Sequence, residues 1–245
     1  MHCHKRERSR VESVSRSYSG GEKVMKSKMM KSVFAGLGAL MVATSGVGEA
    51  AACGGSYFPE IEVDFRPMGI AMAEKQLEQG KTAQAAATIV RIMPHVASLN
   101  AKKSKLTERA QRVLAVAIAR NNGKLDIASE VPSYAQSHWV GKDAKERAAN
   151  LTFAVNTLRT VNTIKKDDPA VQTELAEALS RVDSSRSEAR DILEKLAKKD
   201  LIATPEGYAV LAELRAKAGD SKGKKLALKR CEAMASSASV CRTTA

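Results

Sequence analysis

Aromatic side chains are scarce in this 245-residue chain: four Phe, four Tyr and one Trp make up 4% of it. Ala and Leu dominate the periodic segments instead, and no long alternation of apolar and polar residues runs through the chain. Small side chains at helical spacing favour closely packed helices over a β-sandwich. Histidine is nearly as thin. Only His95 and His138 lie beyond the N-terminal stretch, far apart and in no metal-ligand spacing. His2-Cys3-His4 has the chemistry of ligands, but a tetrahedral site needs more of them and none lies nearby. There is no Gly-x-Ser-x-Gly elbow to expose a nucleophile. No catalytic, metal-binding or cofactor-binding residue is therefore expected, and the chain reads as a non-enzyme.

Residues 219–225, GDSKGKK, look superficially like a phosphate-binding loop. They are one residue short, close on Lys225 where Ser or Thr is required, and follow a helix where a strand is needed. The formal charge of +13 needs dividing. Residues 1–52 hold nine Lys or Arg and four Glu, which leaves +8 for the remainder. That excess would attract acidic partners, anionic lipid or nucleic acid without choosing among them. Lys222, Lys224, Lys225, Lys229 and Arg230 form the densest cluster, yet no aromatic residue interleaves with them for base stacking. A solvated helix face is the reading, and no nucleic-acid partner is expected.

Residues 1–28 are polar, basic and without periodicity, so they have no means of burying a core. They read as a disordered overhang upstream of a true start at Met25, Met29 or Met30. From residue 29 the pattern becomes that of an export signal over 29–52. Lys31 supplies the positive end, residues 33–43 (VFAGLGALMVA) form an uncharged run too short to span a bilayer, and Ala50-Ala51-Ala52 offers small side chains for cleavage. Ala50-Ala51-Ala52-Cys53 also resembles the lipobox of bacterial lipoproteins, except that Ala50 stands where Leu is usual. The resemblance would make Cys53 a lipidation site and allow membrane association; ordinary cleavage before Cys53 fits equally well.

Without Cys3, three cysteines remain, an odd number for an oxidising compartment. Lipidation of Cys53 would leave Cys231 and Cys241 as an even pair able to fold the C-terminal tail back. The alternative is a buried Cys231 and a loose Cys241. Residues 53–66 alternate in part (Ile61, Val63, Phe65 against Glu60, Glu62, Asp64), an extended pattern with no second strand to pair with. They read as a linker, and residues 236–245 as a flexible tail.

Residues 67–235 read as helical throughout. Pro67 opens a helix with Ile70, Ala73 and Leu77 inward, and Gly80 closes it. Thr82 caps a second, through Ala85, Ile89 and Ile92. A third spans 105–121 on Leu106, Ala110, Val113, Leu114 and Ala117. Pro132 makes residues 126–137 a short or kinked helix. A long helix over 142–165 points Ala148, Leu151, Val155 and Leu158 inward. Then come Leu175, Ala178, Leu179 and Val182, with Ala189, Ile192, Leu193 and Leu196 on the partner helix, where Ser185 and Glu188 make a capping box. The last pair uses Tyr208, Leu211, Leu214 and Ala218, then Ala227, Leu228, Cys231 and Met234. Nine helices result.

The last four of these helices are one pair written twice, about 36 residues apart. Asp168-Pro169 recurs as Thr204-Pro205, Leu175-Ala176-Glu177 as Leu211-Ala212-Glu213, and Ser185 as Ser221. A large-small pair also precedes three turns at one offset: Met72-Ala73 before Gly80, Leu175-Ala176 before Asp183, and Leu211-Ala212 before Gly219. Ala85 and Ala128 follow Gly80 and Gly123 by five residues. This pattern resembles the tetratricopeptide repeat, although the turns are 43, 60 and 36 residues apart and the family repeats at about 34. The resemblance implies an all-α, TPR-like α-solenoid of antiparallel helix pairs over 67–235, and a protein or peptide as partner. Together with the export signal, this points to an adaptor or assembly factor of the bacterial cell envelope, in the periplasm or at the outer membrane of a Gram-negative organism. A structural subunit of an envelope complex is the alternative. Lys75, Arg112, Arg181 and Lys217 on the first helices of the pairs, with Glu177 and Glu213, would line the binding face, the cations selecting acidic segments.

Overall fold

The structure is a computed structural model that describes residues 63–125, 127, 131, 139–237 and 239–242. Among these residues it is all-helical, with eight α-helices and no strand: α1 (Arg66–Glu78), α2 (Thr82–Ile92), α3 (Lys105–Arg120), α4 (Ala144–Ile164), α5 (Pro169–Ser180), α6 (Arg186–Ala197), α7 (Pro205–Lys217) and α8 (Ser221–Met234). The basic stretch 1–28, the export segment 29–52, Cys53 and the linker up to residue 62 lie outside the described residues. So does nearly all of the helix expected over 126–137. No helix of the described residues is long and apolar enough to cross a membrane.

Helix starts follow local chemistry. The Asp168 carboxylate accepts the Ala170 N–H at 2.9 Å and the Thr204 hydroxyl accepts the Gly207 N–H at 3.0 Å, each followed by Pro at the first helical position. Ser104, Asp143 and Asp220 cap α3, α4 and α8 in the same way. Two expected caps differ. Lys81, not Thr82, precedes α2, and the Thr82 hydroxyl instead accepts the Asn121 side-chain amide at 2.7 Å. Ser185 makes no side-chain cap, because a 3-10 turn over Asp183–Ser185 already runs into α6, and Glu188 pairs with Arg159. Gly80 and Gly219 end α1 and α7 in the left-handed region, at φ 72° and 77°, with no atom near enough to exclude a side chain. Backbone conformation, not space, selects glycine there.

Each helix packs on the next, and α1 on α3, α3 on α5 and α5 on α7 as well. Gly69 near the start of α1 faces Ile92 at the end of α2, so that pair is antiparallel. Asn121, just past α3, meets Thr82 at the start of α2, which sets these two antiparallel as well. Alternate helices run the same way. Thr173 sits against Gly207 near the starts of α5 and α7, and Arg181 reaches Glu213 near their ends. Alanine makes the close approaches possible, with Ala85, Ala86 and Ala87 on α2 and Ala115, Ala117 and Ala119 on α3 all buried. The repeated Leu-Ala pairs, Leu175-Ala176 and Leu211-Ala212, are buried at matching places on α5 and α7. Ala148, Ala218 and Met234, expected inward, are exposed. On α4 the inward face also carries Asn150, whose amide donates to the carbonyls of Gly123 and Trp139 and satisfies backbone that no helix pairs.

Candidate functional site

The helices that run the same way, α1, α3, α5 and α7, share a face laced by ion pairs. Arg109 on α3 donates two hydrogen bonds to Glu74 on α1, at 3.0 and 2.7 Å. One turn on, Arg112 donates two to Glu174 on α5, at 2.6 and 2.8 Å. Arg120, at the end of α3, reaches Glu177 on α5 at 2.9 Å and Glu206 on α7 at 3.0 Å. Arg181 closes the series toward Glu213 on α7 at 3.9 Å. Two-pronged arginine–carboxylate contacts fix orientation as well as distance, so the ladder holds four helices in register.

Arg120 is the junction. Its guanidinium is 12% exposed, while the Glu177 side chain between α3 and α7 is 3% exposed. The Thr204 hydroxyl that caps α7 also donates to Glu177, at 2.5 Å. One chain of hydrogen bonds therefore runs from the first turn of α7 through Thr204 and Glu177 to Arg120. Burial works against the charge on Arg120 more than any other single influence, yet Glu177 and Glu206 together outweigh it and raise its pKa. Burial raises the carboxyl of Glu174 against the pull of Arg112, and that of Glu206 against the pull of Arg120, with Glu177 adding repulsion to both.

Two cavities open on this face. The larger, of about 770 Å³, is walled by the end of α1 (Glu74, Leu77, Gly80), the middle of α3 (Arg112, Val113, Val116, Arg120), Glu174 of α5, and the entry to α7. The smaller, of about 310 Å³, lies beside it between Gly80, Asn121, Arg181, Val210 and Glu213. Their walls mix branched aliphatic side chains with paired charges. No group of three or more His, Cys, Asp or Glu among the described residues could hold a metal ion.

The four cations named from sequence are not gathered into one site. Arg112 lines the larger cavity and Arg181 the smaller, but each is engaged by a carboxylate of the neighbouring helix. Lys217 lines neither and pairs with Glu213 at 2.7 Å, one turn back on its own helix. Lys75 is exposed and lines neither cavity. Glu177 and Glu213, named as face residues, do sit there, Glu177 paired with Arg120 and Glu213 with Arg181. Sequence reading missed Glu74, Arg109, Arg120, Glu174 and Glu206. A signal for part of this existed: Arg109 and Arg112 stand three apart on one helix, and Glu174 and Glu177 three apart on another, so each pair shares a helix face.

Cys231 on α8 and Cys241 beyond it are joined by a disulfide, both sulfur-bearing residues buried. Of the segment expected as a loose tail, Val240 packs against the core, and Ser236, Ser237, Ser239 and Val240 help wall the larger cavity. His95 is exposed. Compared with protein-family models, with characterised proteins and with solved structures, the chain matches none.

Proposed function

We propose that this chain is an exported, tetratricopeptide-like repeat protein that binds a protein or peptide segment on the face of α1, α3, α5 and α7, as an adaptor or assembly factor of the bacterial cell envelope. One observation carries the reading. Helices of alternate number lie side by side in one direction, and a groove of about 770 Å³ crosses three of them and the entry to the fourth. Stacking of helix pairs generates such a surface, because each pair buries one face on its neighbours and leaves the other open. Export rests on the charge, apolar run and small-residue end of residues 29–52. Because Arg112 and Arg181 already hold carboxylates, we assign recognition to shape and hydrogen bonding ahead of attraction for acidic segments.

Photo-crosslinking tests this in intact cells. Gln79 lines the larger cavity, whereas Lys195 on α6 is exposed and lines neither. A photoreactive residue at position 79 should capture the same adduct in repeated trials, and one at 195 should not. The same diffuse background from both positions would overturn the binding reading. A mature mass that still contains residues 1–52 would overturn export.

A further inference from the structure

The C-terminal segment belongs to the groove. Gly80, Arg120, Glu206 and Val240 wall both cavities, so the segment stands at the partition between them. It is held there twice, by the Cys231–Cys241 disulfide and by the packing of Val240 on the core. Inside the closed loop nothing larger than valine occurs between residues 235 and 240. The backbone can therefore turn tightly, with the Val240 N–H donating to the Ser237 carbonyl at 3.2 Å and the Ser237 and Ser239 hydroxyls 2.8 Å apart. At the far end Arg242 lines the smaller cavity beside Glu177, Glu206 and Glu213. From the helices these carboxylates meet Arg120, Arg181 and Lys217, and Arg242 brings a further cation to the same wall.

We propose that the groove is a docking site for a short segment of small residues bearing one branched aliphatic and one basic side chain, and that the chain's own disulfide-closed C-terminus holds that site in cis. The inference rests on the peptide-binding reading above and gives it a ligand chemistry. The aliphatic group takes the place of Val240 at the partition, on the wall it shares with Gly80 and Val210. The basic group meets the carboxylates of α5 and α7, and the small residues let the backbone lie close to the helices. A partner of this chemistry must displace the tethered copy. Tethering raises the local concentration of that copy to the millimolar range or above, so displacement is costly while the bond is intact.

The probe is a fluorescein-labelled synthetic peptide with the sequence of residues 235–242, serine replacing cysteine, titrated by anisotropy against the full chain from Cys53. Three proteins are compared. These are the oxidised wild type, Cys231→Ser/Cys241→Ser, and the same pair combined with Val240→Ser/Arg242→Ser, which strips the segment of the groups it places in the groove. The stripped variant should bind at least tenfold more tightly than wild type, with the cysteine pair in between. Changing the peptide's arginine to glutamate should abolish the signal. Equal affinity for all three proteins, indifference to that charge reversal, or no binding by variants whose helical circular dichroism matches wild type would overturn the proposal. If the stripped variant does not fold, wild type treated with dithiothreitol takes its place. There the two cysteines take up two electrons and two protons as the dithiol closes to its own disulfide, and at least threefold tighter binding is required. Failure of the peptide while position 79 still captures an adduct in cells would refute this ligand chemistry and leave the binding groove standing. Failure of both would remove both.

Discussion

Arg120 shows how one side chain can bind three helices and leave them vulnerable. It stands between Glu177 of α5 and Glu206 of α7 and pairs with both carboxylates. Arg120→Ala would leave Glu177 buried without a counter-ion, a change that typically costs about 3 to 5 kcal/mol. Urea unfolding should register that loss as a lower midpoint with an unchanged slope. The same site sets an order of titration. Burial raises Glu206, whereas hydrogen bonds from Arg215 lower Glu194, which stands outside the groove. Glu206 therefore holds its proton more tightly folded than unfolded. Its contribution to stability is complete below the usual carboxylate range and is lost as pH rises through its raised value. Glu194 behaves oppositely: its contribution is present above the usual range and lost as pH falls through its lowered value. Carbon-13 titration of labelled glutamate should place the Glu194 midpoint below that of Glu206, and coincident midpoints would contradict the burial argument.

Between elements, α7 comes close to α5 at Gly207. A Cβ on Gly207 would come within 2.4 Å of Thr173 Cγ2 and 2.9 Å of Ile202 Cγ2. Gly207→Ala should therefore force the two helices apart and cost about 1 to 3 kcal/mol. Thr173→Ser in the same chain removes the nearer methyl and keeps the hydroxyl that bonds Pro169 O and Ala203 N, so thermal unfolding should show partial recovery. These elements were largely legible beforehand, and for physical reasons. Capping at Asp168 and Thr204 is local, and so is the left-handed glycine at Gly80. Leucine at helical spacing declares which side faces inward. The ion-pair ladder was much less legible. A charged residue on a helix looks the same whether water or a neighbouring helix receives it, and only the packing of α3 on α5 brings Arg112 to Glu174. For the same reason Arg112 and Arg181 read as free cations from sequence. Ser185 with Glu188 matched a capping pattern, but a 3-10 turn and Arg159 had already engaged those residues.

Across the whole molecule, substantial contact extends no further than the second helix along the chain. Stability is then close to a sum of local terms, and the last helix has least to hold it. α8 buries only Ala227 and Cys231, whereas α3 buries eleven of its residues. The disulfide compensates at that end. Closing a loop of this length removes unfolded-chain entropy worth about 2 to 3 kcal/mol. Cys231→Ser/Cys241→Ser should lose about that much in urea melts. Hydrogen exchange should show the loss concentrated in α8, with α3 the slowest to exchange in either protein. Loss spread evenly over all eight helices would mean that the molecule unfolds as one unit.

The short reach of these contacts bears on how the protein would respond to load. Drawn out by its two ends, a body in which little besides the Arg120–Glu206 pair grips beyond the second helix would surrender one hairpin after another, as a staircase of small ruptures with no single break. The arginine rungs at Arg109, Arg112 and Arg120 would set the height of each step. A molecule of this kind yields gradually, and the face shared by α1, α3, α5 and α7 would lengthen before it came apart.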